Sequence, residues 1–176
     1  MSLEELSRIL PPPKKPLQVG TLKQWKAIEQ KTGIQFPEDY KDFIFAYGSG
    51  GVAGFLGVFN PFAPRWTEEL RWRMENWRST KVPYPDEVPH PIFPDVGGVF
   101  PWGADDNGNE YCWLTKGQPA SWITLRNHES GAPWDRFKYP MTTLLAKVLS
   151  NKLPRFWGGS RDPFTKDELT FVPVDY

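Results

Sequence analysis

Proline and glycine occur along the whole of this sequence, and they limit the length of any regular element. The 176 residues include 19 prolines and 15 glycines. Proline interrupts helices and central strands, and glycine favours turns. We therefore expect short elements joined by many turns and long ordered loops, rather than a helical bundle. No stretch approaches the ~20 apolar residues that a membrane-spanning helix needs, so we predict no membrane segment.

Charge and cysteine content restrict the class of protein further. Lys and Arg together number 21, as do Asp and Glu, so the net charge is zero, which argues against a wholesale binder of nucleic acid. One cysteine cannot form an intrachain disulfide, which fits a reducing compartment. Residues 1–10 contain two glutamates and no apolar core of a signal peptide. We therefore predict a cytoplasmic, single-domain protein.

Apolar residues at helical spacing predict five helices. Thr21 and Gln24 form a capping-box pair, Gly33 suits the left-handed position after a helix, and Pro37 suits a first helical position. In the fourth helix, Trp72 lies opposite the apolar stripe. The predicted helices cover residues 2–10, 21–32, 37–47, 66–78 and 142–150.

The centre of the chain is predicted to be β structure. Residues 99–102 and 110–115 flank Asn107-Gly108, which favours a type I′ hairpin turn because both central residues of that turn need positive φ. Residues 121–126 alternate as a third strand, and residues 50–59 resemble a Gly-rich strand. Helices followed by an antiparallel meander and another helix define the α+β class.

No group of residues has the pattern of a catalytic, metal or cofactor site. Counted from Asp105, the calcium-loop pattern fails because its sixth position is Glu110 rather than glycine. Cys112 lies inside a strand with no activating helix N-terminus, so we interpret it as a small buried hydrophobe rather than a nucleophile or zinc ligand. The glycines at 48–54 lack the phosphate-loop spacing. We predict no enzymatic activity, no metal and no cofactor.

The fourth helix mixes basic and aromatic residues. Arg71, Trp72 and Arg73 could belong to a surface for single-stranded nucleic acid, but nearby glutamates dilute the charge, and a solvated amphipathic helix is the alternative. We predict no direct contact with nucleic acid. An exposed tryptophan flanked by polar residues is typical of an anchor in a protein interface, so Trp72 is a candidate contact residue.

Charge is distributed unevenly along the chain. Residues 82–115 contain no Lys or Arg, and they contain six acidic residues, namely Asp86, Glu87, Asp95, Asp105, Asp106 and Glu110. One interpretation is a set of solvated loops. The other is an acidic surface that faces a basic partner and steers its approach. The sequence leaves both open.

Several motifs resemble those of the SUKH superfamily, which includes the Smi/Knr-type cell-wall-regulator-like proteins and many bacterial immunity proteins. In chain order they are FPEDYKDF (36–43), GVFPWG (98–103), DNGN (106–109) with Trp113, Trp122-Ile123, and LLAKVL (144–149). The resemblance spans roughly residues 21 to 153. Residues 61–91 form a longer segment than a minimal member has.

The resemblance implies a single α+β domain with a curved antiparallel sheet and helices packed against it. It implies no shared catalytic residues. Bacterial members are largely cytoplasmic antidotes that bind a cognate toxin, often a nuclease, and a fungal branch consists of regulatory adaptors. We divide the chain into an N-terminal arm with a proline-rich spacer (1–20), a SUKH-like domain (21–156) and a C-terminal tail packed on that domain (157–176).

The leading hypothesis from the sequence is a non-enzymatic immunity protein, a monomer or weak dimer, that neutralises a cognate toxin, possibly a basic nuclease domain. The alternative is an intracellular adaptor with a non-toxin partner. The predicted contact residues are Trp72, Asp86, Glu87, Asp95, Asp105, Asp106 and Glu110. A carboxylate-dependent hydrolase is the third class, and it lacks a plausible base, nucleophile or metal set.

Overall fold

A computed structural model describes residues 3–129, 133–153, 156 and 164–175 of the chain. The helices are α1 (Leu3–Ile9), α2 (Leu22–Thr32), α3 (Glu38–Tyr47), α4 (Trp66–Lys81) and α5 (Met141–Leu149). The strands are β1 (Gly50–Val52), β2 (Leu56–Val58), β3 (Val99–Asp105), β4 (Glu110–Leu114), β5 (Ile123–Asn127), β6 (Asp135–Phe137) and β7 (Phe171–Pro173). Residue 2 of the predicted first helix lies outside the described residues, as do residues 157–163 and 176 of the predicted tail.

The seven strands form one sheet in the order β6-β5-β4-β3-β2-β1-β7. Every neighbouring pair is antiparallel. Strands β1 to β6 follow one another as a meander, and β7 returns from the distant C-terminal segment to pair with β1. The predicted α+β class with an antiparallel sheet is confirmed.

Local capping signals place α2 and α3 where the sequence predicts them. Thr21 and Gln24 make the reciprocal capping-box hydrogen bonds, and Gly33 ends α2 with φ of 72°. Pro37 directly precedes α3, because a ring that fixes φ and lacks an N–H is best tolerated at a helix start. The Glu29 side chain then accepts a hydrogen bond from the Phe36 N–H at 3.0 Å and fixes the link between the two helices.

Helix α4 runs three residues beyond its predicted end, to Lys81. Ser79, Thr80 and Lys81 tolerate helix, and Val82 still has helical φ and ψ of −63° and −56°. Pro83 follows directly and lacks the N–H that would continue the helical hydrogen bonds. The prolines from position 83 onward then impose the predicted loop. In α4, Trp66, Leu70 and Trp77 are buried, whereas Trp72 is 63% exposed, as its position opposite the stripe predicts.

The glycine-rich segment at 50–59 forms a hairpin, not the single strand that the sequence predicts. Ala53 and Gly54 have φ of 52° and 57°, and the Phe55 N–H donates to the Val52 carbonyl at 3.1 Å. Positive φ at both central residues is a feature of type I′ turns. The register pairs Val52 with Leu56, so this loop, like that of the β3–β4 hairpin, has three residues, 53–55.

At the β3–β4 hairpin the predicted type I′ turn is wrong. Gly108 has a φ of 79°, whereas the φ of Asn107 is not positive. Residues 106–108 form a three-residue loop, in which the Gly108 N–H donates to the Asp105 carbonyl at 3.0 Å. The Asp105 side chain accepts from the Asn107 and Asn109 N–H groups at 3.0 and 3.1 Å, which stabilises this longer loop.

The two faces of the sheet are covered by different layers. On one face, Phe100 and Trp113 pair across β3 and β4 and belong to a large aromatic core with α1, α3 and α5. On the other face, Cys112 and Leu125 pair across β4 and β5 and pack with Trp77 of α4 in a smaller core. Val88 and Ile92, from the loop after α4, complete this smaller core.

Helix α5 is capped by a side chain from another helix. Pro140 precedes α5 and provides no side-chain cap. The Asp39 carboxylate of α3 instead accepts hydrogen bonds from the Thr142 N–H at 3.0 Å and from the Thr142 hydroxyl at 3.2 Å. Burial raises the pKa of Asp39 above its ordinary value of 3.8, against the opposing effect of these hydrogen bonds.

This raised pKa predicts a pH-dependent contribution of Asp39 to stability. The folded protein holds the Asp39 proton more tightly than the unfolded chain, so stability falls as pH rises through the folded pKa. We expect the unfolding free energy of the protein, relative to the Asp39→Asn variant, to be highest below pH 3.8 and to decrease above it. Urea unfolding of both proteins from pH 3 upward measures this difference, and a pH-independent difference would contradict the prediction.

Candidate functional site

A groove lies on the α4 face of the sheet, beside the β3–β4 hairpin. It has a volume of about 470 Å³. Helix α4 forms one wall, the hairpin and the end of β5 form the other, and the loop after α4 closes one side. We name it the α4 groove, and its lining residues are Trp72, Arg73, Asn76, Trp77, Thr80, Glu87, Val88, Ala104, Asp105, Gly108, Glu110, Asn127, His128 and Glu129.

Glu110 ties the two walls of the groove together. Its Oε1 accepts from the Arg73 guanidinium at 2.5 Å, and its Oε2 accepts from the Trp77 indole at 2.6 Å. The side chains of Arg73 and Glu110 are 23% and 16% exposed, so this ion pair is partly shielded from water. The Arg73 guanidinium also lies 4.5 Å from the centre of the Phe59 ring. These contacts neutralise Glu110 and fix α4 over the sheet.

The loop that carries Glu87 is held by side chains from its neighbours. Lys81 donates to the carbonyls of Val88 and His90 at 2.6 and 3.0 Å. The Trp134 indole donates to the Glu87 carbonyl at 2.9 Å. Because the backbone carbonyls of Glu87, Val88 and His90 are all held, the exposed side chain of Glu87 projects from a fixed point at the groove.

The hairpin on the other wall depends on a glycine and on Asp105. A Cβ at position 108 would lie 2.8 Å from the Glu129 Cγ, and φ at Gly108 is positive. The Glu129 N–H donates to the Asn109 side chain at 3.4 Å. These features bring the exposed carboxylate of Glu129 beside the hairpin loop, across the groove from α4.

The electrostatic balance of the groove is acidic. Its lining has four carboxylates, on Glu87, Asp105, Glu110 and Glu129, against one guanidinium, on Arg73. Asp105 is 6% exposed and Glu110 is bound to Arg73, so Glu87 and Glu129 are the lining carboxylates that face solvent. His128, which also lines the groove, lies 2.9 Å from an Asp135 carboxylate oxygen through its Nε2.

Four of the predicted contact residues line this groove, namely Trp72, Glu87, Asp105 and Glu110. Asp105 and Glu110 hold the fold of the hairpin and of α4, so they have little surface to offer a partner. Asp86 and Asp106 are exposed beside the groove, in the loop and at the hairpin tip. Asp95 lies at the other end of β3, outside it. That these residues form a contact surface therefore stays a prediction. The members whose side chains are exposed to solvent are Trp72, Asp86, Glu87, Asp95 and Asp106.

The sequence interpretation missed Glu129, His128 and Asn127. The acidic surface was predicted from residues 82–115, which contain no Lys or Arg. Asn127, His128 and Glu129 lie beyond Lys116, so that segment does not include them. The register of β4 and β5 brings them close, because Asn127 pairs directly with Glu110. Recognising residues 121–126 as the next strand of a meander was the available signal for this proximity.

The described residues show no arrangement typical of a reactive centre. Cys112 is fully buried, and burial raises the pKa of its thiol, so it is not an activated nucleophile. Within the described part of the chain, no three His, Cys, Asp or Glu side chains are placed to share a metal ion. No helix among the same residues is both long and apolar enough to cross a bilayer.

Comparison with known proteins gives one match. The model of the SMI1 / KNR4 family (SUKH-1) matches residues 20–139. No curated protein and no solved structure matches the chain. The matched segment runs from the start of α2 to the end of β6, so it contains both walls of the α4 groove.

Proposed function

Since the chain belongs to the SMI1 / KNR4 family (SUKH-1), we propose that it is an immunity protein that binds and neutralises a basic toxin, such as a nuclease, through the α4 groove. The observation that carries this proposal is the acidic groove beside an exposed tryptophan. Glu87 and Glu129 present exposed carboxylates at the groove, and Trp72 offers a large apolar ring at the border.

Charge and an aromatic anchor contribute differently to such binding. Complementary charge raises the association rate of a basic partner and is weakened by salt. A tryptophan that becomes buried in the interface slows dissociation, and such residues often contribute 2 kcal/mol or more to binding. The Trp72 ring centre lies 5.9 Å from the Arg73 guanidinium. The groove therefore combines electrostatic steering with an exposed aromatic anchor.

The first experiment is a survival assay. The chain is co-expressed with the toxin-like reading frame encoded nearest to it, against an empty-vector control. We expect rescue of growth and a complex that co-purifies with the chain. Failure of both would favour the alternative from the sequence, an adaptor with an endogenous partner, and would make an unbiased pull-down the next step.

We predict that charge reversal of the two solvent-facing groove carboxylates weakens the complex. Glu87→Lys with Glu129→Lys should lower the association rate at least tenfold at low salt, and the difference should shrink at high salt. The matched control is Asp42→Lys with Asp167→Lys, which changes the net charge equally at exposed positions outside the groove. Stopped-flow or surface-plasmon association rates at two salt concentrations measure the effect. An equal loss in both double variants would mean that total charge, not the groove, guides binding.

A further inference from the structure

A second surface depression lies at the opposite end of β4 and β5 from the α4 groove. Two adjoining hollows of about 430 and 470 Å³ share Gln35, Gln118, Pro119 and Trp122 along their common border. Trp122 lies on this shared border. We name the two adjoining hollows together the Trp122 trough.

The aromatic wall of this trough is fixed by the core. Trp122 contacts Trp113 with ring centres 6.1 Å apart. Its indole N–H donates to the Gly117 carbonyl at 3.1 Å, so the polar atom of the ring is already used. The short 3₁₀ turn Pro119–Ser121 directly precedes the ring. What Trp122 presents to the trough is therefore an apolar surface held in one orientation.

The remaining lining of the trough has apolar residues in the second hollow and carboxylates in both hollows. Pro94 and Val96 border the second hollow, and Val96 is 98% exposed. The lining carboxylates of the whole trough are Glu29, Glu38, Asp39 and Asp95. Lys41 is the single basic residue in the lining, and it is already paired with Glu29 and Glu38 at 2.9 and 3.0 Å.

Polar side chains in the border could bind a peptide backbone. No hydrogen bond of the Gln35 or Gln118 side-chain amide is found among the described residues, and both residues are exposed. Each amide offers both a donor and an acceptor. An extended segment keeps its own N–H and C=O groups available for such contacts, whereas a helix uses them internally.

We propose that the Trp122 trough docks an extended, proline-containing segment of a partner protein that carries Lys or Arg next to the proline. Proline rings pack well on a fixed aromatic face, and a segment already in the polyproline conformation loses little entropy on docking. Asp39 is used in capping α5, and Lys41 balances one of the two charges of Glu29 and Glu38. The remaining negative charge of that pair and the exposed Asp95 select a basic segment by charge complementarity. This site is separate from the α4 groove and does not depend on a toxin partner.

The test is a peptide array of octamers that contain proline with Lys or Arg at each neighbouring position, probed with the purified full chain. We expect binders whose affinity falls at least tenfold when proline is replaced by alanine or Lys and Arg by glutamate. Binding that ignores both replacements, or an array without any binder, would overturn the proposal.

Variants of the chain then locate the binding. Trp122→Ala should abolish it. Since Trp122 contacts the core, Asp95→Lys serves as a second variant at an exposed position and should weaken binding at least tenfold. Asp106→Lys, the same change at the opposite end of the sheet, is the control and should bind like the unaltered protein. Equal weakening by both Lys variants would overturn the assignment to the trough.

Discussion

Replacement of Trp113 by alanine is expected to lower the free energy of unfolding by about 3–5 kcal/mol. Trp113 is 2% exposed and lies at the centre of the large core. Its ring centre is 4.9 Å from that of Tyr40, and the other rings within 6.3 Å are Phe36, Phe100, Trp102 and Trp122. The loss combines the removed apolar surface with the cavity that a rigid aromatic surrounding cannot fill. Urea unfolding followed by far-ultraviolet circular dichroism measures it.

The same substitution at Trp72 provides the control. Trp72 is 63% exposed, so Trp72→Ala should change stability by no more than about 0.5 kcal/mol. If the two variants were equally stable, the assignment of Trp113 to the core would be wrong. For toxin binding, the proposed function predicts a direct effect of Trp72→Ala that does not depend on stability. Trp72→Ala should fold normally and bind the toxin more weakly, because it removes the anchor without disturbing the core.

The second large effect is expected at Asp105. Asp105→Ala should destabilise the fold by about 2–4 kcal/mol, because it leaves the buried Tyr111 hydroxyl and several partly buried donors of the loop without their acceptor. The carboxylate accepts from the N–H groups of Asn107 and Asn109, from the Asn109 amide, and from the Tyr111 hydroxyl at 2.6 Å. Burial, and then the charge of Asp105, raise the pKa of Tyr111, so its hydroxyl stays protonated and continues to donate.

The adjacent residue is a matched control for Asp105. Asp106 is exposed at the hairpin tip, so Asp106→Ala should alter stability by no more than about 0.5 kcal/mol. Thermal unfolding of the two variants at pH 7 distinguishes them. Similar midpoints would show that the hairpin does not depend on the Asp105 carboxylate. The pair also separates two roles that the sequence assigned together, since both aspartates were predicted as contact residues.

Patterns that depend on neighbouring residues in the chain predicted much of this fold. The Thr21–Gln24 capping box and Gly33 gave both ends of α2, because these interactions lie within one or two helical turns. The placement of Trp72 on the exposed side of α4 followed from helical periodicity alone. Each of these predictions needed only local geometry.

Features set by distant contacts could not be predicted in this way. The Asn107-Gly108 pair favours a two-residue turn, but the hydrogen bonds of the buried Asp105 carboxylate stabilise a three-residue loop instead. Strand β6 has only three residues, Asp135, Arg136 and Phe137, which is too short for a periodicity to mark it. Its Asp135 pairs with the buried Arg126 of β5, and this long-range pair places the strand at the sheet edge.

The candidate site was predictable only in part for the same reason. The segment without Lys or Arg indicated acidic loops, but sequence alone does not show which carboxylates are buried. Burial assigns Asp105 and Glu110 to the framework of the hairpin. Glu129 enters the groove through the pairing of β5 with β4, which a count of charges along the chain does not show.

The pairing of β7 with β1 has a consequence for biosynthesis. Val172 pairs with Gly51, so 121 positions separate the partners. At roughly 5–20 residues per second, the ribosome adds β7 about 6–24 s after β1. During that interval Phe43 and Tyr47 lack Phe171, whose ring centre lies 6.3 and 5.1 Å from theirs in the folded protein, and the β7-side edge of β1 stays open. The nascent chain thus exposes an aromatic edge, and we expect chaperones to bind there until β7 emerges.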